Sequence, residues 1–166
     1  MKATFVGKEI TLIGHEMKVG DKLPDFNLTA TDFSNVSSVE DIRLPAVFLV
    51  LLSVDTGVCS LELLTFNDRL DGQNFNVYAV SNDMPFTLDR WVKTNAGDFI
   101  TMLSDYKAKE FGHATGTLID ELRFLTRATF IFDEHGICQF AEYLPEIATE
   151  PDYDKIMAEA QKYFNK

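Results

Sequence analysis

Ala46-Val47-Phe48-Leu49-Val50-Leu51-Leu52, followed by Ser53-Val54-Asp55-Thr56-Gly57-Val58-Cys59, sets the architecture of the chain. Pro45 opens it. The six consecutive apolar residues from Val47 to Leu52 are bounded by turn residues, the pattern of a strand buried on both faces. Ser53 to Gly57 break the run. From Val58 the period changes: Leu63, Phe66 and Leu70 recur at helical spacing, with Asp68, Arg69 and Asp71 off that face. The order is buried strand, tight loop, helix, with Cys59 in the first helical turn.

Downstream, Phe75 to Val80 reads as the next strand, and Pro85 starts a helix with proline in its first turn. Phe99 to Leu103 predicts a short strand and Tyr106 to Phe111 a short helix. Leu125 to Phe132 is β-rich. Asp133-Glu134-His135-Gly136 is a turn, and Ile137 to Tyr143 returns as a strand, giving a hairpin. Glu150-Pro151-Asp152 starts a final helix. Upstream, Gly7-Lys8 lies between two β-prone runs, Ala3 to Val6 and Glu9 to Ile13, a hairpin signal. Asp25 to Thr29 alternates as a strand, and Asn35 to Asp41 is polar and turn-like. The order βαβ, α, β-hairpin, α predicts an α/β protein with a mixed central sheet and helices on both faces. That is a thioredoxin-like architecture with an added N-terminal hairpin. The 166 residues suit one domain, residues 1–166, in which residues 1–14 form the hairpin extension.

A net charge of −11 repels phosphate backbones and anionic lipid, so nucleic-acid and membrane-surface roles are not expected. No apolar run is long enough to span a bilayer, and Met1 to Phe5 contains no signal-peptide core, so a cytoplasmic location is expected. Two cysteines, without a C-x-x-C pair, do not make a disulfide scaffold. His15, His113 and His135 lack metal-ligand spacing, and no glycine loop for phosphate is present.

A helix N-terminus carries unpaired N–H groups and the positive end of the dipole, and both favour a thiolate. Thr56, three residues earlier, can donate to a bound oxygen or to the sulfur. Arg127, at the start of a central strand, is costly there without a partner. Each also has a plainer reading. Cys59 can simply pack against the sheet, Thr56 can do no more than cap the helix, and Arg127 can pair with Asp133 or Glu134 or reach solvent.

Ser53-Val54-Asp55-Thr56-Gly57-Val58-Cys59 resembles the S-x-D-T-x-V-C segment of bacterial thiol peroxidases, a branch of the peroxiredoxins. The resemblance extends through Thr4 to Gly7, Asn82 to Phe86 with Arg90-Trp91, Leu103 to Tyr106, Thr126 to Ala128 and Thr149 to Tyr153. It implies a peroxiredoxin-type fold and the reduction of hydrogen peroxide and organic hydroperoxides without metal or organic cofactor. It puts Cys59 at the position of the peroxidatic cysteine. Thr56 and Arg127 fall where the family binds and polarises the peroxide, helped by the N–H groups of Val58 and Cys59. A homodimer is implied too, and Leu61 and Leu64 on the Cys59 helix are candidates for its interface.

Two positions depart from the family. Val92 follows Arg90-Trp91 where the family has its resolving cysteine. Leu52 takes the proline position of P-x-x-x-T-x-x-C, supplying apolar cover without proline's fixed φ. A looser pocket is expected, and a misplacement of about 1 Å can cost on the order of a hundredfold in rate. The other cysteine, Cys138, is expected far from Val92 and unpaired. The expected activity is thus a one-cysteine cycle in which an external thiol or thioredoxin-like protein reduces a Cys59 sulfenic acid. The alternative is a weakly active relict that senses oxidant or binds a partner.

Overall fold

The computed structural model describes residues 1–95 and 99–164. In chain order the elements are β1 (Lys2–Phe5), β2 (Lys8–Ile13), β3 (Asn27–Ala30), β4 (Asn35–Ser37), β5 (Ala46–Val50), α1 (Gly57–Arg69) and β6 (Val77–Ser81). There follow α2 (Pro85–Asn95), β7 (Ile100–Ser104), α3 (Glu110–Thr115), β8 (Leu118–Ile119), β9 (Ala128–Phe132), β10 (Cys138–Tyr143) and α4 (Tyr153–Phe164).

The seven-stranded sheet runs β10-β9-β5-β6-β7-β3-β4. The centre, β5-β6-β7, is parallel, with Val47 opposite Val77 and Val77 opposite Ile100; β9 joins it antiparallel, with Ala46 opposite Phe132. The run that opened the sequence is therefore the middle of the sheet, and all five residues of β5 are buried. Alternation along it divides the core. Val47, Leu49 and Leu51 pack with Leu63 and Phe66 of α1, Leu88 and Trp91 of α2, and Ile156 and Ala160 of α4. Ala46, Phe48 and Val50 face the other way, onto Phe26, Phe111 of α3, Leu118 and Leu125. Helices thus cover both faces, as the element order predicts.

The two cysteines lie on opposite sides of this division. Cys59 belongs to the α1 side, together with half-buried Val92, and Cys138 to the α3 side. Cys138 is fully buried, its Sγ donates to the Phe140 carbonyl at 3.3 Å, and burial pushes its thiol up to about 11.

Three local expectations are corrected. Asn35 to Asp41 includes a short strand, β4, which the register of β3 induces at the sheet edge. The helix expected over Tyr106 to Phe111 starts at Glu110. Lys109 adopts a left-handed φ of 55°, and the buried Asp105 carboxylate accepts from the N–H groups of Phe111 (3.1 Å) and Gly112 (2.8 Å). These bonds satisfy donors that the helix start leaves open. The segment expected as strand from Leu125 becomes regular only at Ala128. Leu118 and Ile119 before it form β8, which joins β1 and β2 in a second, three-stranded sheet.

Candidate active site

The loop between β5 and α1 is shaped by one carboxylate. Asp83, just past β6, accepts from Ser53 Oγ (2.6 Å), Val54 N (2.9 Å) and Ser81 Oγ (2.8 Å). Thr56 then caps α1. Its Oγ1 accepts from Cys59 N at 3.3 Å and donates to the Ser53 carbonyl at 2.9 Å. The capping reading of Thr56 is thus met in full, and the Cys59 N–H is engaged within the loop. Two links tie α1 and the loop before it to α2, the segment that holds Val92. Trp91 Nε1 donates to Ser60 Oγ at 3.1 Å, and Arg90 pairs with Asp55 at 2.8 Å on the exposed surface.

Cys59 itself is 0% exposed and Arg127 only 2%. One guanidinium nitrogen of Arg127 lies 3.1 Å from Cys59 Sγ. Arg127 Nε donates to the Ile147 carbonyl at 2.9 Å, and its remaining nitrogen pairs with Glu62 Oε2. Arg127 therefore pairs with neither Asp133 nor Glu134, and it does not reach solvent. The contact sets a fixed positive charge against the sulfur. The planar fork of arginine serves the sulfur, a carboxylate and a carbonyl at once, which a lysine cannot do.

Glu62 is the site residue that side-chain motifs do not point to. It lies three residues after Cys59 on the face that carries Leu63 and Phe66, and it is 0% exposed. A charged residue on the buried stripe of a helix needs a partner, and that is the signal that marks it. Its Oε1 has no hydrogen-bond partner. Burial pushes its carboxyl up to about 7, against the pull of the Arg127 guanidinium.

This has a measurable sign. Between about 4.5 and 7 the folded protein holds a proton on Glu62 that the unfolded chain has released, so rising pH through that window weakens folding. Glu62→Gln carries no such proton. In urea unfolding, the stability of this variant relative to the unsubstituted protein is expected to rise across pH 4.5 to 7, by no more than ~1.4 kcal/mol per pH unit, and to level off above. A constant difference across that window would contradict the assignment.

A cavity of about 110 Å³ opens beside this cluster, lined by Phe5, Leu52, Thr56, Gly57, Val58, Arg127, Ile147 and Ala148. Its wall is mostly apolar. Its polar lining comes from Thr56, Arg127 and the backbone of Gly57 and Val58 at the start of α1. Leu52, 7% exposed, fills the proline position and packs into the core. Phe5 brings the N-terminal hairpin into the wall. The three residues expected from sequence thus converge: Cys59 and Arg127 are in contact, and Thr56 caps the turn that carries the sulfur. A sulfur, a fixed cation and backbone N–H donors beside a small, mostly apolar cavity form an arrangement that can stabilise charge developing on an oxygen.

Comparison with known proteins identifies the family. The thiol peroxidase of Clostridium acetobutylicum is 43% identical over 164 residues, covering 97% of this chain and 98% of that protein. That of Bacillus subtilis is 39% identical over 153 residues, 92% of each chain. Among solved structures, a peroxiredoxin-like protein from Aquifex aeolicus superposes with a TM-score of 0.90 at 29% identity, covering 98% of this chain and 96% of that one. The AhpC/TSA family matches residues 19–141. The chain belongs to the AhpC/TSA family, in the branch of the bacterial thiol peroxidases.

Proposed function

We propose that the chain is a thiol-dependent peroxidase that reduces hydrogen peroxide and organic hydroperoxides through Cys59 in a one-cysteine cycle. The observation that carries this reading is the Arg127 guanidinium 3.1 Å from Cys59 Sγ beside a small cavity. The Cys59 thiolate attacks the terminal oxygen of the peroxide. An S–O bond forms, the O–O bond breaks, and the departing oxygen takes a proton to leave as water or an alcohol. Arg127 and the Thr56 hydroxyl, turned from the Ser53 carbonyl, bind the peroxide. The Val58 N–H receives the charge that develops on it, that of Cys59 being held by the Thr56 oxygen.

One external thiol then displaces water from the sulfenic acid to give a mixed disulfide. A second thiol releases Cys59 and leaves as the external disulfide. Val92 offers no sulfur, and Cys138 lies across the sheet. A low-molecular-weight thiol or a thioredoxin-like protein serves as reductant. Residues 1–166 act as one catalytic domain with residues 1–14 as its hairpin extension. No described helix is long and apolar enough to cross a membrane, and the proposed location is cytoplasmic. Leu61 and Leu64, 48% and 36% exposed on α1, are proposed to meet a second copy, which sedimentation detects.

The test is to treat the reduced protein with one equivalent of hydroperoxide, locate the modification by mass spectrometry, and follow peroxide loss with excess thiol. Rapid oxidation at Cys59 with turnover is the expected result. Oxidation without turnover points to an oxidant sensor instead. Oxidation of Cys59 no faster than that of free cysteine removes both thiol readings.

A further inference from the structure

Arg127 is held on its far side by a backbone carbonyl, that of Ile147, and something has to hold that carbonyl in place. The preceding residue, Glu146, has no part in the proposed chemistry. Its carboxylate nevertheless accepts from four donors: the Thr4 hydroxyl, Val6 N (2.7 Å), Gly7 N (3.2 Å) and Ala148 N (3.2 Å). Three of these belong to the β1–β2 hairpin. The backbone reinforces the link, since Thr4 N donates to the Pro145 carbonyl at 2.7 Å and Ile147 N to the Thr4 carbonyl at 2.9 Å. The hairpin turn is itself strained. Val6 has φ 51° and Gly7 φ 77°. Positive φ is unusual for a β-branched residue, and such strain persists only where the surroundings impose it. Here the surroundings are the Glu146 carboxylate, on which both turn N–H groups converge. The Thr4 hydroxyl first, then the Gly7, Val6 and Ala148 N–H groups, hold that carboxyl down at about 2, so it stays ionised at working pH.

We infer that Glu146 is a positioning residue for Arg127: it clamps the strained hairpin turn to the segment whose Ile147 carbonyl fixes the guanidinium on Cys59. This rests on the peroxidase reading above for its consequence in rate, and on geometry alone for its effect on Arg127. Glutamine is not an adequate replacement, because both carboxylate oxygens accept from N–H groups and one becomes an NH₂.

The experiment uses the full chain. Glu146→Gln is expected to slow peroxide oxidation of Cys59 by about tenfold, a fraction of what a 1 Å displacement of a catalytic group can cost. In an Arg127→Lys background the same substitution is expected to add nothing, because its path runs through Arg127. Hydrogen exchange at the Arg127 Nε–H, read by NMR on ¹⁵N-labelled protein, is expected to accelerate in Glu146→Gln. That readout needs no activity. If the protein proves not to be a peroxidase, accelerated exchange still supports the clamp and unchanged exchange overturns it. In an active enzyme, an unchanged rate, or a loss that adds to that of Arg127→Lys, overturns it. Should Glu146→Gln not fold, Thr4→Val removes one donor and carries the same expectations in smaller measure. Unchanged exchange and rate in that variant count against the clamp.

Discussion

Arg127→Met is expected to slow oxidation of Cys59 by hydrogen peroxide by about 10²–10³-fold, the usual cost of removing one fixed donor of developing charge. The guanidinium touches the sulfur and lines the cavity, so its loss acts on both the nucleophile and the bound oxygen. The same substitution strands Glu62, and breaking a buried pair from one side typically costs about 3–5 kcal/mol. Here the cost is expected at the lower end, because a carboxyl pushed up to about 7 readily takes a proton. Adding Glu62→Leu is expected to recover much of the stability and none of the rate. Stopped-flow oxidation and urea unfolding measured on the three proteins separate the two effects. Arg127→Met at the unsubstituted rate is the result that removes Arg127 from the chemistry.

Cys59→Ser is expected to abolish thiol-dependent peroxide loss, by at least roughly 10⁴-fold, as removal of a nucleophile does in other enzymes. Serine supplies no thiolate, and the second cysteine cannot take over. Cys138 is buried on the other face of the sheet, and burial pushes its thiol up to about 11. In peroxide-treated Cys59→Ser, mass spectrometry is expected to find no sulfenic acid, while the melting temperature changes by only a few degrees. Residual turnover at Cys138 is the result that would move the site.

Much of this was legible in the sequence for stated physical reasons. A six-residue apolar run followed by a change of period leaves few options besides a central strand and a helix, and β5 and α1 are that pair. β4 and β8 are short, and neighbouring strands hold them in place, so local pattern does not announce them. The start of α3 lies later than the local pattern predicts because the Asp105 carboxylate, five residues before the helix, satisfies N–H groups of its first turn. At the candidate site, the residue types and positions of Cys59, Thr56 and Arg127 left plainer readings open, and the resemblance to the bacterial thiol peroxidases is what singled the three out. Glu62 belongs to no side-chain motif, and its one mark in the sequence is its place on the apolar stripe of α1 beside Leu63 and Phe66. The Ile147 carbonyl carries no side-chain signature at all.

The contact between Arg127 and Cys59 joins residues 68 positions apart, and the one with Glu62 spans 65. Between them the chain must lay down β6, α2, β7, α3 and β8 before β9 can pair with β5. Contacts this distant in sequence form late in folding. On the ribosome, Cys59 emerges well before Arg127. In the chemistry proposed above, fast oxidation of Cys59 is therefore expected only once β9 lies beside β5, so that this rate doubles as a reporter of completed folding.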